Sequence, residues 1–372
     1  MYKTIIHLLA LVLVFTVLPA QAEQSIKLGA IFAKSGAAAI SNQDHLNGLR
    51  FAVKEINTNG GVLGRPIKLM EFDNHSTQIG AKMAAQKAVN DGVVAVIGNS
   101  WSSHSLAAGP VLQAAGIVMI SPDSTQVDVT AIGPYIFRSC FTDPFQGRVL
   151  ARFAAVDLHA KSTAIMADVK SAYSIGLANY FKKNFIQRGG KIVTEQQYTH
   201  DQRDFSTQLE AIKSLHPDVI FVPGHDETVF IARQAQKMGI EAIFLSGDGM
   251  DYSSAQKKGL AMIKRGFFTT HWSRNNPSEA SRRFVSAIKR AGNIRLSSSV
   301  ALTYDSVYLI KNAIERAGSI NPKAIRDALA QTHDYKGVTG IFNFDAQGDP
   351  IKSAVLMEIK DGKLLFRKEL RP

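Results

Sequence analysis

The stretch VAVIGNSWSSHSLAAGPVLQAAGIVMISPDST, residues 94–125, decides the fold. Two apolar runs within and beside it, 93–97 and 117–120, are short, β-branched and uninterrupted, the pattern of buried parallel strands. Between them 105–115 has helix-forming composition, with Leu106, Val111 and Leu112 available for an inner face. Gly116 stands where a glycine commonly ends a helix. The reading is a βαβ unit. Each strand runs into a small, hydroxyl-rich turn: one holds Trp101, Ser102 and Ser103, the other Asp123, Ser124 and Thr125. Turns at the carboxyl ends of parallel strands are where open α/β sheets bind ligands. Opening the helix, Ser102 and Ser103 have backbone N–H groups with no intrahelical partner. With the helix dipole behind them they suit a small anion such as a carboxylate. The structural alternative is that Ser102 simply caps the helix.

The chain has 372 residues, room for two domains of ordinary size. Residues 1–22 read as a secretory signal, with Lys3 as the basic start, an apolar core over 5–18 and Ala20-Gln21-Ala22 as a small-x-small cleavage site. Cleavage is expected after Ala22, leaving the mature protein free in the periplasm. The apolar core is too short for a stable membrane span. Cys140 is the only cysteine, so no internal disulfide can form, and its neighbours Ile136, Phe137 and Phe141 suggest a buried thiol. Net charge is +12, and +11 without the signal. The cations are dispersed over helical segments (Lys182-Lys183, Lys257-Lys258, Arg282-Arg283) without a basic–aromatic motif, so nucleic acid is not an expected partner.

Ahead of the central unit the pattern predicts strands at 26–31 and 67–72 and helices at 47–57 and 78–91; a strand at 135–138 follows it. From about Asp143 the alternation begins again. Helices are expected at 146–158, 176–188, 205–215 and 228–238, with strands at 162–167, 191–198, 218–222 and 242–245. Helices within 279–291, 298–317 and 321–331 and strands at 354–359 and 364–367 close the chain. Two consecutive βα series of similar size argue for an α/β fold of two Rossmann-like, doubly wound lobes. Crossings near 143, 271 and 346 would form a three-segment hinge. It divides 23–143 plus 272–346 from 144–271 plus 347–372.

Glu55-Ile56-Asn57, Gly60-Gly61, Gly64, Ile67 and Asp73 resemble the opening of the periplasmic leucine/isoleucine/valine-binding proteins. Residues 93–98 with the serine-rich turn, and 116–122 ending in Ser124-Thr125, resemble that family's ligand turns. So do Asp168…Tyr173…Gly176, Asp204-Phe205-Ser206, Arg233-Gln234-Ala235…Gly239, Gly247-Asp248-Gly249 and Tyr304-Asp305, in family order from about 26 to 366. The resemblance implies a type I periplasmic binding protein, a clamshell that closes over a ligand and presents it to an ABC permease in the inner membrane. It implies a monomer without cofactor. By position it implies that Ser102 and Thr125 hold a ligand's α-carboxylate and that the Asp123 carbonyl accepts from the α-ammonium. Tyr173 would cover the ligand from the second lobe, and Asp248 would pair with the ammonium.

Several positions depart from that pattern. Trp101 stands where relatives often have a small residue or cysteine, either walling the pocket or filling a gap beside the hinge. His225-Asp226-Glu227 stands where relatives often show an aromatic pair; it suits a polar or cationic ligand side chain, or else is an exposed turn. Ser174 replaces a glycine, and Asp123 adds a carboxylate. The expected ligand is therefore an amino acid with a polar or aromatic side chain. The alternative is a ligand-sensing protein for amides, ureas or small aromatic carboxylates that acts with a separate receptor. An enzyme is not expected. Residues 98–102 resemble a nucleophile elbow, but Ser102 replaces its last glycine. Gly247-Asp248-Gly249 lacks the third glycine of a dinucleotide fingerprint. His225, Asp226, Asp248 and Asp251 show no metal-ligand spacing, so no metal is expected.

Overall fold

The computed structural model describes residues 25–251 and 263–372; the signal read at 1–22, its cleavage site and the Lys257-Lys258 pair lie outside them. The first half alternates β1 (Ile26–Phe32), α1 (Ala39–Thr58), β2 (Ile67–Asp73), α2 (Gln78–Asn90), β3 (Ala95–Gly98), α3 (Ser102–Ala114), β4 (Val118–Ser121), the short α4 (Asp128–Ala131) and β5 (Ile136–Arg138). These strands form one parallel sheet in the order β2-β1-β3-β4-β5. The second series is α5 (Asp143–Arg152), a π turn at Phe153–Asp157, β6 (Ser162–Asp168), α6 (Ala172–Ile186), β7 (Lys191–Tyr198), α7 (Ser206–Lys213), β8 (Val219–Val222), α8 (Glu227–Lys237), β9 (Ile243–Ser246), a 3-10 turn at Asp248–Asp251 and β10 (Arg265–Thr270). Three helices follow, α9 (Glu279–Ala291), α10 (Ser298–Ala317) and α11 (Pro322–Ala330), then the hairpin β11 (Tyr335–Gly337) and β12 (Gly340–Phe342). The last strands, β13 (Ala354–Lys360) and β14 (Lys363–Leu370), join the second sheet, whose order is β14-β13-β10-β9-β8-β6-β7. That sheet is parallel from β7 to β10 and antiparallel beyond.

Both faces of the first sheet are covered, as a parallel sheet requires. Leu28, Ala30 and Phe32 pack with Leu46, Leu49, Val53 and Ile56 of α1 and with Leu309 and Ile310 of α10. Ile31, Val96 and Met119, on the opposite face, pack against Ala81, Ala85 and Leu112 of α2 and α3. In the second sheet Leu177 and Phe181 of α6 cover one face, and Leu209, Ile212 and Ile231 of α7 and α8 cover the other. The chain passes between the two sheets after β5, after β10 and before β13, so the fold is two doubly wound lobes joined by three segments.

The largest departures from the expected elements have local causes. Helix α1 begins at Ala39, not near 47, because its first turns bury Ser41, Asn42, Asp44 and His45, polar residues that hide the helical period. Helix α6 begins at Ala172 rather than 176, with the Ser171 hydroxyl accepting from the Ser174 N–H at 3.2 Å. Strand β10 was not expected.

The first and third crossings are tied together. The Arg138 N–H donates to the Gly348 carbonyl at 3.2 Å, and its guanidinium Nε to Asp349 at 2.6 Å. Lys352 Nζ donates to the Ser139 carbonyl at 2.9 Å and to the Thr339 hydroxyl. Among the described residues no helix is long and apolar enough to cross a membrane.

Candidate ligand cleft

In a doubly wound sheet the helices change face where the strand order turns back, and the crevice beyond the strand ends opens there. That reversal lies between β1 and β3 in the first sheet and between β6 and β8 in the second. Trp101, Asp123, Tyr173, His225 and Asp248 follow the carboxyl ends of β3, β4, β6, β8 and β9, and His271 follows β10.

One wall of the cleft is aromatic and joins the lobes. The Trp101 ring stacks on His104 of its own lobe (centroids 5.3 Å apart) and on His225 of the other (4.7 Å). Tyr173 lies 5.0 Å from His225. Burial pushes the His104 imidazole down to about 4, and the nearby His225 and His200 add to the shift, so this ring stacks as a neutral group. Beside the wall the Ala172 N–H of the second lobe donates to the Ser103 hydroxyl of the first at 3.3 Å.

The other wall is ionic. Asp123 lies 3.1 Å from His45 Nε2 through one oxygen and 3.3 Å from His271 Nε2 through the other. The same His271 nitrogen lies 3.2 Å from Asp248, whose second oxygen accepts from Gln146 Nε2 at 2.7 Å. An imidazole thus bridges carboxylates from the two lobes. Burial acts to raise the Asp123 carboxyl, but its bond to His45 and the charges of His45, His271 and His225 hold it below the usual range. Burial pushes the neighbouring Asp143 well above that range; the Thr125 hydroxyl opposes this and the charge of Asp248 adds to it. Asp143 is fully buried and neither of its oxygens meets hydrogen-bond geometry among the described residues. Trp101 Nε1, Thr125 Oγ1, Gln146 Oε1 and His271 Nδ1 are likewise buried and unbonded there. Buried polar groups left unmet in this way call for a partner. Asp123, Asp248 and His271 also each bring one ligand atom within 4.8 Å of the others, close enough to hold a metal ion.

The expected residues divide into those that meet here and those that do not. Ser102 does not cap α3. The cap position is Trp101, and the Ser102 hydroxyl accepts from the Gln126 N–H at 3.4 Å. The Trp101 carbonyl takes the N–H groups of His104 and Ser105, so those of Ser102 and Ser103 precede the helical ladder. Thr125, Tyr173, His225 and Asp248 reach the cleft. Asp123 reaches it by its side chain, whereas the sequence reading used its backbone carbonyl. Ser124 is tied into the turns themselves. Its hydroxyl bonds Ser105 Oγ at 2.7 Å and lies within hydrogen-bond reach of the carbonyls of Asn99 and Ser100, knitting the two turns together. Asp226 occupies the cap position of α8, without a side-chain cap bond. Glu227 turns inward, accepting from the Tyr198 hydroxyl and the His225 N–H, each at 3.0 Å.

Sequence reasoning missed His45, Asp143, Gln146 and His271. None lies in a glycine- or serine-rich turn; His45 sits inside α1, and His271 follows the strand that was not expected. It also missed Arg138, fully buried, whose Nη1 donates to the Ser124 carbonyl at 2.6 Å and so fixes a ligand turn to the hinge.

Comparison with known proteins places this geometry in a family. A model of the periplasmic binding proteins matches residues 25–363. The Leu/Ile/Val-binding protein BraC3 of Rhizobium johnstonii is 30% identical over 335 residues, covering 88% of this chain and 89% of its own. The leucine-, isoleucine-, valine-, threonine- and alanine-binding protein of Pseudomonas aeruginosa is 27% identical over 337 residues, covering 88% of each chain. Among solved structures, a leucine-binding protein of Thermotoga maritima matches with a TM-score of 0.89 at 32% identity, over 93% of this chain and 99% of that one. A branched-chain amino acid transporter substrate-binding protein of Streptococcus pneumoniae, in complex with isoleucine, has the same score and identity over 94% of this chain and 100% of that one. These relatives are solute-binding proteins and not enzymes. With its sheets, its cleft and its similarity all running along nearly the whole chain, the protein belongs to the periplasmic binding protein family, on the type I fold of the leucine/isoleucine/valine-binding proteins.

Proposed function

We propose that this protein is the periplasmic solute-binding subunit of an ABC importer. It captures an amino acid by closing two lobes, 23–143 with 272–346 and 144–271 with 347–372, and prefers a polar or aromatic side chain to an aliphatic one. After removal of residues 1–22 it acts as a monomer that presents its closed form to a permease in the inner membrane.

The observation that carries this reading is the placing of opposite anchors on the two sides of one buried cleft. Ser102 and Thr125 belong to the first lobe, Tyr173 and Asp248 to the second, and all four are buried. A zwitterion taken out of water needs donors at one end and acceptors at the other. The N–H groups at the start of α3 suit its carboxylate, and Asp248 suits its ammonium. Each charge-assisted bond contributes about 1.5–3 kcal/mol. The isoleucine held by the Streptococcus pneumoniae relative favours an amino acid over other zwitterions. The ring wall of Trp101, His104 and His225, with the Asp123 carboxylate, favours a side chain that stacks or donates.

Capture follows as a two-state closure. The ligand first meets the turns of the first lobe. Closure is favoured only by contacts that exist in the closed state, and the second lobe supplies these. The test is a thermal-shift screen of residues 23–372, refolded free of carried-over ligand, against L-amino acids, amides, ureas and small aromatic acids. Stabilisation by a few amino acids is expected. In Asp248→Ala their affinity should fall about 100-fold, the equivalent of one charge-assisted pair of ~3 kcal/mol. Stabilisation by amine-free acids alone would overturn the role given to Asp248 and support the sensing alternative.

A further inference from the structure

We propose that Asp123 is a second anionic subsite, so that the ligand is a basic amino acid whose side chain ends in a cationic, N–H-bearing group. This rests on the amino-acid reading above and adds the class of side chain.

His271 Nε2 lies 3.3 Å from Asp123 Oδ1 and 3.2 Å from Asp248 Oδ2. A ring nitrogen carries at most one N–H, and only its contact with Asp248 has hydrogen-bond geometry. Asp123 Oδ1 is therefore left as a buried anionic oxygen without a hydrogen bond among the described residues. The other oxygen of Asp123 is already engaged, by His45 at 3.1 Å and by the Ser299 hydroxyl at 3.5 Å. Among the described residues, the ion-pair partners of Asp123 and Asp248 are imidazoles; no lysine or arginine pairs with either.

A bound amino acid does not by itself settle this account. Its carboxylate and ammonium cancel, and Asp248 takes the ammonium. An aliphatic side chain would then bury Asp123 Oδ1 against carbon with its hydrogen bond still unmade, which is disfavoured for a charged oxygen. A terminal ammonium or guanidinium supplies the missing donor and a full positive charge beside the carboxylate. A neutral side chain of the same length supplies neither.

The test compares pairs of equal shape by titration calorimetry and thermal shift: L-lysine with L-norleucine, and L-arginine with L-citrulline. The proteins are the wild type, Asp123→Asn and Asp248→Asn, with zinc ions alone as a further titrant. The expected result is at least 10-fold tighter binding of the charged member of each pair by the wild type. Asp123→Asn should lose that preference while still unfolding cooperatively and binding the neutral member of each pair, and Asp248→Asn should weaken all four. Should Asp123→Asn fail to fold, the wild-type pairs carry the test alone. Equal affinity within both pairs would overturn the proposal and leave the zwitterion clamp standing. No binding of any amino acid would overturn both. Stabilisation of the wild type by zinc alone, lost in Asp123→Asn, would also overturn it, because Asp123, Asp248 and His271 would then be metal ligands.

Discussion

Trp101 stacks with histidines of both lobes, yet its indole Nε1 is buried without an acceptor among the described residues. A residue that merely filled a gap beside the hinge would have no reason to reach across the cleft to His225. The Trp101–His225 contact joins the two lobes, so its loss should act on ligand binding more than on the folding of either lobe. An aromatic pair contributes ~0.5–1.5 kcal/mol beyond its buried area, so Trp101→Ala should weaken binding about 3- to 10-fold. Calorimetry of the ligand-free protein should show little change in melting temperature. A large drop with unchanged ligand ranking would restore the gap-filling role. That Trp101 sits in a ligand turn was legible in the sequence, since turns after buried strands are local features. That His225 stacks on it was not, because His225 comes from the turn after β8, in the other lobe.

At the scale of elements, α1 and α10 show how a glycine can be worth more than its helix propensity. Gly48 lies inside α1, where alanine would ordinarily gain ~1 kcal/mol. Here a methyl group at that position would stand 2.6 Å from the Val300 carbonyl oxygen of α10, a backbone atom that can move only with its helix. The steric term wins. Gly48→Ala should destabilise the protein by roughly 1–3 kcal/mol in urea unfolding, the usual scale for overpacking. This close approach also explains why the opening of α1 escaped the sequence reading. It is fastened by packing and by buried polar contacts, among them the His45 Nδ1 to Thr303 hydroxyl bond at 3.0 Å, and not by an apolar period. Helices α2, α9 and α10, in contrast, begin at serine or threonine caps, and each was expected within a residue or two of its observed start.

Across the whole molecule, the hinge is where charge has been taken furthest from water. Lys352 is buried between the third crossing and the first, with its ammonium 4.2 Å from the Phe342 ring centre. Burial lowers its pKa from 10.5 to about 8, against the pull of the Asp305 carboxylate. Below pH 8 both folded and unfolded chains hold the proton, and the folded state bears the full desolvation penalty. Between 8 and 10.5 the unfolded chain still binds a proton that the folded one has released, so stability rises with pH. Against Lys352→Met, whose hinge cannot titrate, the wild type should gain on the order of 2 kcal/mol between pH 7.5 and 9.5 in urea unfolding. A constant difference across that window would show that the ammonium is better solvated than its burial implies. Arg138 bonds both the Ser124 carbonyl and Asp349, so one guanidinium ties that turn to the hinge.

By itself the sequence determined the two βα series, the turns that end their strands, and the family these imply. Each is written in short-range pattern: apolar runs, glycine stops, hydroxyl-rich strand ends. Only the tertiary structure decided what faces what across the cleft. His45 from the first helix and His271 from beyond β10 converge on Asp123, and Gln146 turns to Asp248. Ser124 and Glu227 turn away into hydrogen bonds of their own. The physical reason is that a polar side chain in a helix or loop carries no period. Its direction is set by the sheets that bring distant segments together and by the requirement that buried charge find a partner.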